Sequence, residues 1–521
     1  MTGFGLRCES FRQGAILSSA FSVGAKAIAF LVNPAIALYF GAGTRTDVYF
    51  FCLTTTGVAA GFLASLNSSV VIPQATHLLV KKGAAAAQGF LNVFLLGYCG
   101  LALVFAAAAM AWPVGAVARI SQFAPAALAE HGLMIRCFAA VFCLMTVSTL
   151  LSDILFSYQY FTLPMMCSGG TSALSLAMLV ALHGKLGLLC VPAALLAGQL
   201  IQVVLLVTLM KRALGWRFSR QALREAAAIR KDLSLAWLGN ATSSLNYYLP
   251  SLLLSGLAPG TLTALAYAQS AASIPDTLVT RQCSAVTGIK LNLLCARRDY
   301  ANVNRVFVTT AELLHFLLIP AACLMALFSR DIISVLFARG AASVAPATLQ
   351  LSATFLALLA FMAPLNAVNT LAARLFMADR KVSLGTSYQI VSNVALSAVM
   401  WVMVHYFGAV GYPISLLAIY AGSIVAARWI FAWQYPYVGY ETVLRTLLAL
   451  FLASACVAAA VYGIVLLLPR PPQLLKLGVA SLLFGAFMLA LNFRWRFCDG
   501  VESILRATVG APRAGAGTAQ A

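Results

Sequence analysis

The amino-acid sequence predicts an all-α, polytopic membrane protein with about 14 transmembrane helices. Of the 521 residues, 62% are hydrophobic and only 9% are charged, whereas a soluble globular domain carries about 25% charged residues. The apolar residues fall in blocks of roughly 20, the length that a helix needs to cross about 30 Å of hydrocarbon. A chain of this composition cannot cover a soluble surface, so its solvent is the bilayer.

A membrane β-barrel is excluded by the pattern of the apolar segments. Barrel strands are about ten residues long and alternate in polarity. The stretches 186–210 and 447–468 are apolar on nearly every face and are too long for such strands. Only a helix satisfies its own backbone groups over this length within a membrane.

The hydropathy pattern divides into fourteen predicted spans. The first is longer than one bilayer crossing, and Pro34 is a natural place for a bend in it. The predicted spans are 15–40, 46–72, 89–118, 134–157, 163–183, 186–210, 233–257, 261–287, 306–328, 346–372, 383–406, 409–431, 444–468 and 475–493.

The net charge of +20 is explained by topology rather than by nucleic acid. With a cytoplasmic N-terminus, 24 of the 34 Lys and Arg residues lie in inner segments, as the positive-inside rule predicts. The richest inner loop, 211–232, is therefore expected to face the cytoplasm and to contact anionic lipid headgroups. No RNA-binding aromatic pattern accompanies the basic residues, so we expect no nucleic-acid partner.

The basic loop also separates two sets of six spans, which predicts two parallel repeats. A short internal match supports this, because Gly43–Thr46 (GTRT) and Gly260–Thr263 (GTLT) occupy the same place in each half. The predicted domains are an N-terminal six-helix lobe (1–210), a cytoplasmic linker (211–232), a C-terminal six-helix lobe (233–432), helices 13 and 14 (433–493) and a disordered cytoplasmic tail (494–521).

Three polar residues of the first two spans are candidates for substrate binding. Lys26 lies near the middle of span 1, where an ammonium costs about 2.5–3.5 kcal/mol, so it should face a hydrated cavity or an anionic partner. Its alternative is a lysine that snorkels to an interface. Asp47 could balance Lys26, gate the outer mouth, or cap a helix. Asn33 is a weaker candidate, because amides also bond between helices.

The second half contributes Asn240, Gln269, Ser270 and Arg281 as candidates, although Arg281 also fits a juxtamembrane topology charge. Asn246, Tyr247 and Asp276 could line the same wall. Glu312 and His315 lie three residues apart on one face of span 9. They are candidates for ion coupling, since histidine titrates near neutrality, with a structural polar pair as the alternative.

No sequence motif indicates an enzyme or a cofactor. Phosphate-binding glycine loops, metalloprotease and hydrolase motifs are absent from the sequence. The twelve cysteines include no C-x-x-C pair and no metal-site spacing, so we expect no metal and interpret them as small buried hydrophobes. Transport without an ATP-binding motif would use an ion, potential or substrate gradient.

The segment Phe40–Asp47 (FGAGTRTD) is similar to the F-G-A-G-x-x-T-D segment after the first helix of the lipid II flippases of the MurJ/MviN type. That family belongs to the multidrug/oligosaccharidyl-lipid/polysaccharide exporter superfamily. Further similarity covers 267–275, 299–306 and 376–381. The resemblance implies two six-helix lobes around a V-shaped cavity, with helices 13 and 14 forming a groove for a polyprenyl tail.

The resemblance also implies a function, a location and partners. Such proteins flip undecaprenyl-diphosphate-linked saccharides by alternating access across the bacterial cytoplasmic (inner) membrane, and cell-envelope biosynthesis proteins are candidate partners. The chain departs from the family in having few cavity arginines. Alignment on Phe40 keeps Lys26 at one arginine position but puts Val32 at the next, and Gln269–Ser270 replace an Asp-Arg pair.

These departures leave several functions open. The substrate could be a lipid II-type peptidoglycan precursor or a related glycan, such as an exopolysaccharide repeat unit. A drug or organic-cation antiporter of the same superfamily would need a carboxylate-rich cavity. A membrane-embedded glycan polymerase or ligase would need a large outer loop, whereas the largest loop here is basic and cytoplasmic. A non-transporting scaffold in envelope assembly is the remaining alternative.

Overall fold

The structure, a computed structural model, describes residues 11–158, 160, 162–217, 230–338, 344–379, 381–467 and 472–495. These residues form helices joined by short turns, and no strand occurs among them. The prediction of an all-α membrane fold is therefore confirmed. Most of the predicted linker (218–229) and most of the predicted tail (496–521) lie outside the described residues.

The first half of the chain contains nine described helices. They are α1 (Phe11–Phe40), α2 (Thr44–Leu66), α3 (Ile72–Lys82), α4 (Ala84–Ala111), α5 (Pro113–Ile120), α6 (Pro125–Ala129), α7 (Gly132–Ser157), α8 (Thr162–Leu186) and α9 (Cys190–Leu214). A π-helical turn at Asn67–Val71 joins α2 to α3, and a 3₁₀ turn at Gly187–Leu189 joins α8 to α9.

The second half contains eleven described helices. They are α10 (Arg230–Leu254), α11 (Thr261–Pro275), α12 (Arg281–Ala296), α13 (Tyr300–Leu327), α14 (Ser329–Phe337), α15 (Pro346–Leu359), α16 (Met362–Ala378), α17 (Val382–Phe407), α18 (Gly411–Gln434), α19 (Tyr440–Leu467) and α20 (Gln473–Trp495). A second π-helical turn, Asp276–Thr280, joins α11 to α12.

Ten described stretches are long and apolar enough to cross a membrane. Two of them, Thr162–Leu214 and Ser383–Gln434, each contain two helices that are both long enough to cross a bilayer, so twelve of the fourteen predicted spans fall on such stretches. The other two predicted spans correspond to α10 and to α11 with α12. These helices are more polar, and α10 and α11 carry part of the candidate site described below.

The described residues group into two compact units, each built from discontinuous segments. Unit 1 comprises Met1–Ser270, Leu336–Ser352 and Gln389–Tyr412. Its core lies among α2, α4, α7 and α9, where Leu66, Phe90, Leu150 and Leu206 are buried. Helix α8 packs against α1 and α9. At the α8–α9 contact, a Cβ on Gly198 would lie 2.7 Å from Thr171 Cγ2, so a small residue allows this close helix packing.

Unit 2 comprises Ala271–Val335, Ala353–Tyr388 and Pro413–Ala521. Its core is aromatic, with the rings of Phe307, Phe376 and Tyr435 around Phe431. Asp299 caps α13, because its Oδ1 accepts a hydrogen bond from the Asn302 N–H at 3.2 Å. This bond and a second from the Asn302 side chain lower the pKa of Asp299. The division into lobes 1–210 and 233–432 stays a prediction.

Candidate binding cavity

Asp47 lies at the start of α2, is only 3% exposed, and caps a helix from the other half of the sequence. Its carboxylate accepts hydrogen bonds from the backbone N–H groups of Gly260 (2.6 Å) and Thr263 (2.7 Å). It also accepts one from the Thr263 hydroxyl at 2.6 Å. These donors lie at the N-terminus of α11, where Gly260 offers no side chain to bind them. Of the roles predicted for Asp47, these contacts support capping.

The two matched tetrapeptides, Gly43–Thr46 and Gly260–Thr263, touch each other. The Thr263 hydroxyl lies 2.9 Å from the Thr46 hydroxyl, and Thr46 itself bonds both the N–H and the carbonyl of Gly43. Near this contact, the Tyr267 hydroxyl donates to the Gly41 carbonyl at 2.8 Å. The FGAGTRTD segment therefore connects to α11 through Gly41, Thr46 and Asp47, whose polar groups are buried and used in packing.

A cavity of about 590 Å³ opens within unit 1, between α2, α10 and α11. This volume is in the range of small-molecule binding sites. None of the nineteen described residues that line it carries a charge. The polar groups that line it are hydroxyls and amides, from Thr54, Ser65, Asn240, Ser243, Ser244, Tyr247, Ser251, Gln269, Gln389 and Tyr412.

A row of hydrogen bonds between α10 and α17 supports one wall of the cavity. Gln389 and Asn393 both donate to the Ser243 hydroxyl, at 2.8 and 2.9 Å. One turn further along, the Ser397 hydroxyl donates to Asn246 Oδ1 at 2.7 Å. These interhelical bonds satisfy polar groups that would otherwise be costly in a membrane. They explain why α10 is folded although it is less apolar than the other predicted spans.

Of the predicted binding residues, Asn240 and Gln269 line the cavity, as does Tyr247. Gln269 Nε2 also donates to the Tyr412 hydroxyl at 3.2 Å. Asn33 and Ser270 are brought together, because Asn33 Nδ2 donates to Ser270 Oγ. This bond links α1 to α11, the helix that carries Gln269.

Lys26 lies on α1 and has an exposed side chain. It precedes Asn33 by seven residues, which is about two helical turns, so both project from the same face of α1. Lys26 does not line the described cavity. It lies on the face of α1 that carries Asn33, two turns toward the N-terminus.

The remaining predicted residues belong to unit 2. Arg281 is exposed and pairs with Asp276 across the π-helical turn, with Nε 3.2 Å from Oδ2. His315 is fully buried, and neither ring nitrogen has a hydrogen-bond partner among the described residues. Glu312 is half-buried on the same helix. The two side chains therefore do not form a hydrogen-bonded structural pair, and ion coupling through them stays a prediction.

The sequence reasoning missed two features of unit 1. Gln389, Asn393 and Ser397 are spaced by four residues, which marks one polar face of an otherwise apolar helix and could have predicted the wall. Asp153, an acid inside the predicted span 134–157, was also passed over. It accepts a hydrogen bond from Asn67 Nδ2 at 2.9 Å.

Comparisons with known proteins agree with this architecture. The family model "Lipid II flippase MurJ" matches residues 36–485. A solved structure of a lipid II flippase MurJ in an inward closed conformation superimposes with a TM-score of 0.74 at 13% identity, over 92% of this chain and 99% of that chain. Comparison with curated protein sequences finds no match.

Two transporters of the MATE type share the fold. An inward-facing multidrug resistance MATE transporter of the MOP superfamily has a TM-score of 0.60 at 14% identity, over 79% of this chain and 93% of that one. A mutant of a Vibrio cholerae MATE transporter has a TM-score of 0.57 at 11% identity, over 82% and 98%. The family model covers far more than half of the sequence, so this chain belongs to the lipid II flippase MurJ family of membrane transporters.

Proposed function

We propose that this protein flips a polyprenyl-diphosphate-linked saccharide from the cytoplasmic to the periplasmic leaflet of the bacterial inner membrane by alternating access. The observation that carries the proposal is the uncharged polar cavity of unit 1, in a chain of this family. Hydroxyl and amide groups are suited to sugar hydroxyls, since each can donate and accept hydrogen bonds. The saccharide would occupy this cavity.

The charge pattern supports a glycan over an organic cation. A cation carrier would place carboxylates in its binding site, and no described residue that lines this cavity is acidic. The apolar part of the lining, from Phe50, Val58, Phe62 and Leu265, supplies flat surface for the non-polar faces of sugar rings. The substrate class is therefore a neutral or weakly charged saccharide on a lipid carrier.

Lys26 is the proposed contact for the diphosphate. An ammonium binds phosphate as a compact point charge, and Lys26 shares a helix face with Asn33, which is bonded to α11. The diphosphate would then lie two turns of α1 from that bond while the sugar occupies the cavity. A cavity whose described lining carries no charge also favours a less anionic headgroup than an arginine-rich cavity would. An exopolysaccharide repeat unit is therefore the favoured glycan over a lipid II-type precursor.

Leaflet-resolved translocation in proteoliposomes tests this function. Lipid II and a neutral polyprenyl-diphosphate oligosaccharide would be compared with wild-type protein and with Gln269→Leu and Lys26→Ala. Loss of one hydrogen bond in the cavity is worth about 0.5–1.5 kcal/mol, so Gln269→Leu should slow transport of the oligosaccharide roughly 2- to 12-fold. Lys26→Ala should slow both substrates, because both carry the diphosphate.

Matched controls lie away from the cavity. Gln473→Leu changes an exposed glutamine at the start of α20, and Lys81→Ala removes an exposed lysine at the end of α3. Neither should alter transport. A wild-type protein that moves neither lipid would contradict the proposal and favour the scaffold alternative. Unchanged transport in Lys26→Ala would remove Lys26 from the site.

A further inference from the structure

A second polar site lies within unit 1, away from the cavity, where α7 meets the turn that follows α2. Asp153 is half-buried on α7, four residues before the helix ends at Ser157. Its Oδ2 accepts a hydrogen bond from Asn67 Nδ2 at 2.9 Å. Asn67 is fully buried and has no other described side-chain bond. The carboxylate and the amide therefore face each other inside the membrane-spanning part of the unit.

Two further oxygen atoms at this site lack a hydrogen-bond partner among the described residues. They are Asn67 Oδ1 and the hydroxyl of Tyr98 on α4. Asn67 is 0% exposed and Tyr98 is 8% exposed, so bulk water does not satisfy them. The Tyr98 hydroxyl interacts electrostatically with Asp153. Buried polar atoms without partners are uncommon, and both of these oxygens are able to accept a hydrogen bond.

No basic side chain among the described residues forms an ion pair with Asp153. Within the described parts of the chain, the ion pairs involve other residues. An unpaired carboxylate in an apolar span is costly, and it can be neutralised by taking up a proton. Once protonated, the carboxyl group has an O–H to donate, and the unpartnered Tyr98 and Asn67 oxygens are acceptors for it.

The neighbouring helices carry other titratable groups as well. Helices α2, α3, α4, α5 and α9 and the turn Asn67–Val71 contact α7. Among the described residues, Tyr98 is the titratable group that interacts electrostatically with Asp153. The others on these elements and on α7 itself are Arg45, Asp47, Tyr49, Cys52, His77, Lys81, Lys82, Cys99, Arg119, Arg136, Cys137, Cys143, Cys190, Lys211 and Arg212.

The backbone at this site is also unusual. Asn67 is the first residue of the π-helical turn Asn67–Val71. Such turns are rare and occur frequently at functional sites. The hydroxyl of Ser69 bonds to the Ser65 carbonyl at 2.7 Å, which supports the widened turn from within the same helix. The turn is therefore a stable local feature that presents Asn67 to α7.

We propose that Asp153, Asn67 and Tyr98 form a proton-binding site that couples substrate movement to a proton gradient. The carboxylate of Asp153 takes up one proton to become a neutral carboxylic acid, and releasing that proton restores the carboxylate. Asn67 holds one carboxylate oxygen, and the unpartnered Tyr98 hydroxyl can accept a hydrogen bond from the protonated carboxyl. The coupling role rests on the proposed flippase function, whereas proton binding itself does not.

Proton binding is tested directly by infrared difference spectroscopy of the purified full-length protein between acidic and alkaline buffer. Wild type should show a protonated-carboxyl band that titrates, and Asp153→Asn should lack it. Tyr98→Phe should shift the midpoint of this titration, because it removes a hydroxyl that can accept a hydrogen bond from the protonated carboxyl of Asp153. Glu130→Gln, at an exposed acid outside the spans, is the control and should keep the band. A band that survives in Asp153→Asn overturns the proposal.

Coupling is tested in proteoliposomes with a neutral polyprenyl-diphosphate oligosaccharide, with the membrane potential clamped at zero. The ratio of flux with a pH gradient to flux without one should exceed unity in wild type and Glu130→Gln. It should drop to unity in Asp153→Asn and recover in Asp153→Glu. Equal ratios in wild type and Asp153→Asn overturn the coupling role, as does stimulation by a sodium gradient instead. A wild type without any flux contradicts the flippase function, and the infrared titration then still decides proton binding.

Discussion

Two aspartates of the membrane-spanning helices in unit 1, Asp47 and Asp153, have opposite surroundings. Asp47 accepts three hydrogen bonds, two of them from buried backbone N–H groups at the start of α11. Asp153 accepts one bond, from a side-chain amide, and lies beside oxygen atoms that have no partner among the described residues. The same side chain is thus saturated with donors in one place and sparsely bonded in the other.

The contrast shows how bonding decides the role of a buried acid. A carboxylate that caps a helix holds two segments together, and its charge is stabilised by N–H donors and by the positive end of the helix dipole. A carboxylate with a single neutral donor is free to change protonation, because little structure depends on its charge. Stability measurements should therefore separate the two residues more clearly than sequence does.

The largest effect is expected for Asp47→Ala. This change leaves the N–H groups of Gly260 and Thr263 without acceptors, at about 1–3 kcal/mol each, so the free energy of unfolding should fall by about 2–6 kcal/mol. The measurement is unfolding of the purified protein in detergent. Asp47→Asn keeps one acceptor oxygen and should fall between wild type and Asp47→Ala. A loss below about 1 kcal/mol for Asp47→Ala would break the comparison.

A smaller loss is expected for Thr263→Val, which preserves shape but removes the hydroxyl that bonds to Asp47 and Thr46. We expect a loss of about 1–2 kcal/mol. Because Thr263 and Asp47 are in contact, the double variant with Asp47→Ala should cost less than the sum of the single changes. Thr261→Val on the same helix is the control, because the Thr261 hydroxyl bonds to the Ala258 carbonyl. Its loss of unfolding free energy should simply add to the loss caused by Asp47→Ala.

The smallest effect is expected for Asp153→Asn. The amide still offers an oxygen to Asn67 Nδ2 and removes an uncompensated charge, so the free energy of unfolding should stay within about 1 kcal/mol of wild type or rise. Measuring the free energy of unfolding of Asp153→Asn and of Asp47→Asn at neutral pH compares the same chemical change at the two sites. Should Asp153→Asn be as damaging as Asp47→Asn, Asp153 would be a structural residue.

Much of the fold could be predicted from sequence, because the period and length of apolar stretches are local signals. The polar residues Asn240 and Gln269 were also identified, since an amide within an apolar span stands out. The position of a polar residue within a span, however, does not show which residue is its hydrogen-bond partner. The cap at Gly260 comes from Asp47, 213 residues earlier, whereas capping signals in sequence are sought within one helical turn.

Asp153 illustrates a different difficulty. Its position within the apolar span 134–157 was visible, yet nothing near it in sequence indicated a partner. Asn67 lies 86 residues away, and its orientation depends on a π-helical turn that no local residue pattern predicted. The α10–α17 wall was missed for a related reason. The three polar residues of α17 can be recognised as part of a wall only when the fold places Ser243 and Asn246 opposite them.

The π-helical turn after α2 also shapes the span that α2 and α3 form together. A π turn accommodates one residue more than an α-helical turn of the same rise, so deleting one residue within 67–71 would let α2 and α3 form one regular helix. Because the widened turn takes up the extra residue locally, α3 would keep its orientation about the helix axis after the deletion. The span would keep ample length for the bilayer, and the change would be confined to the contact that Asn67 makes with Asp153.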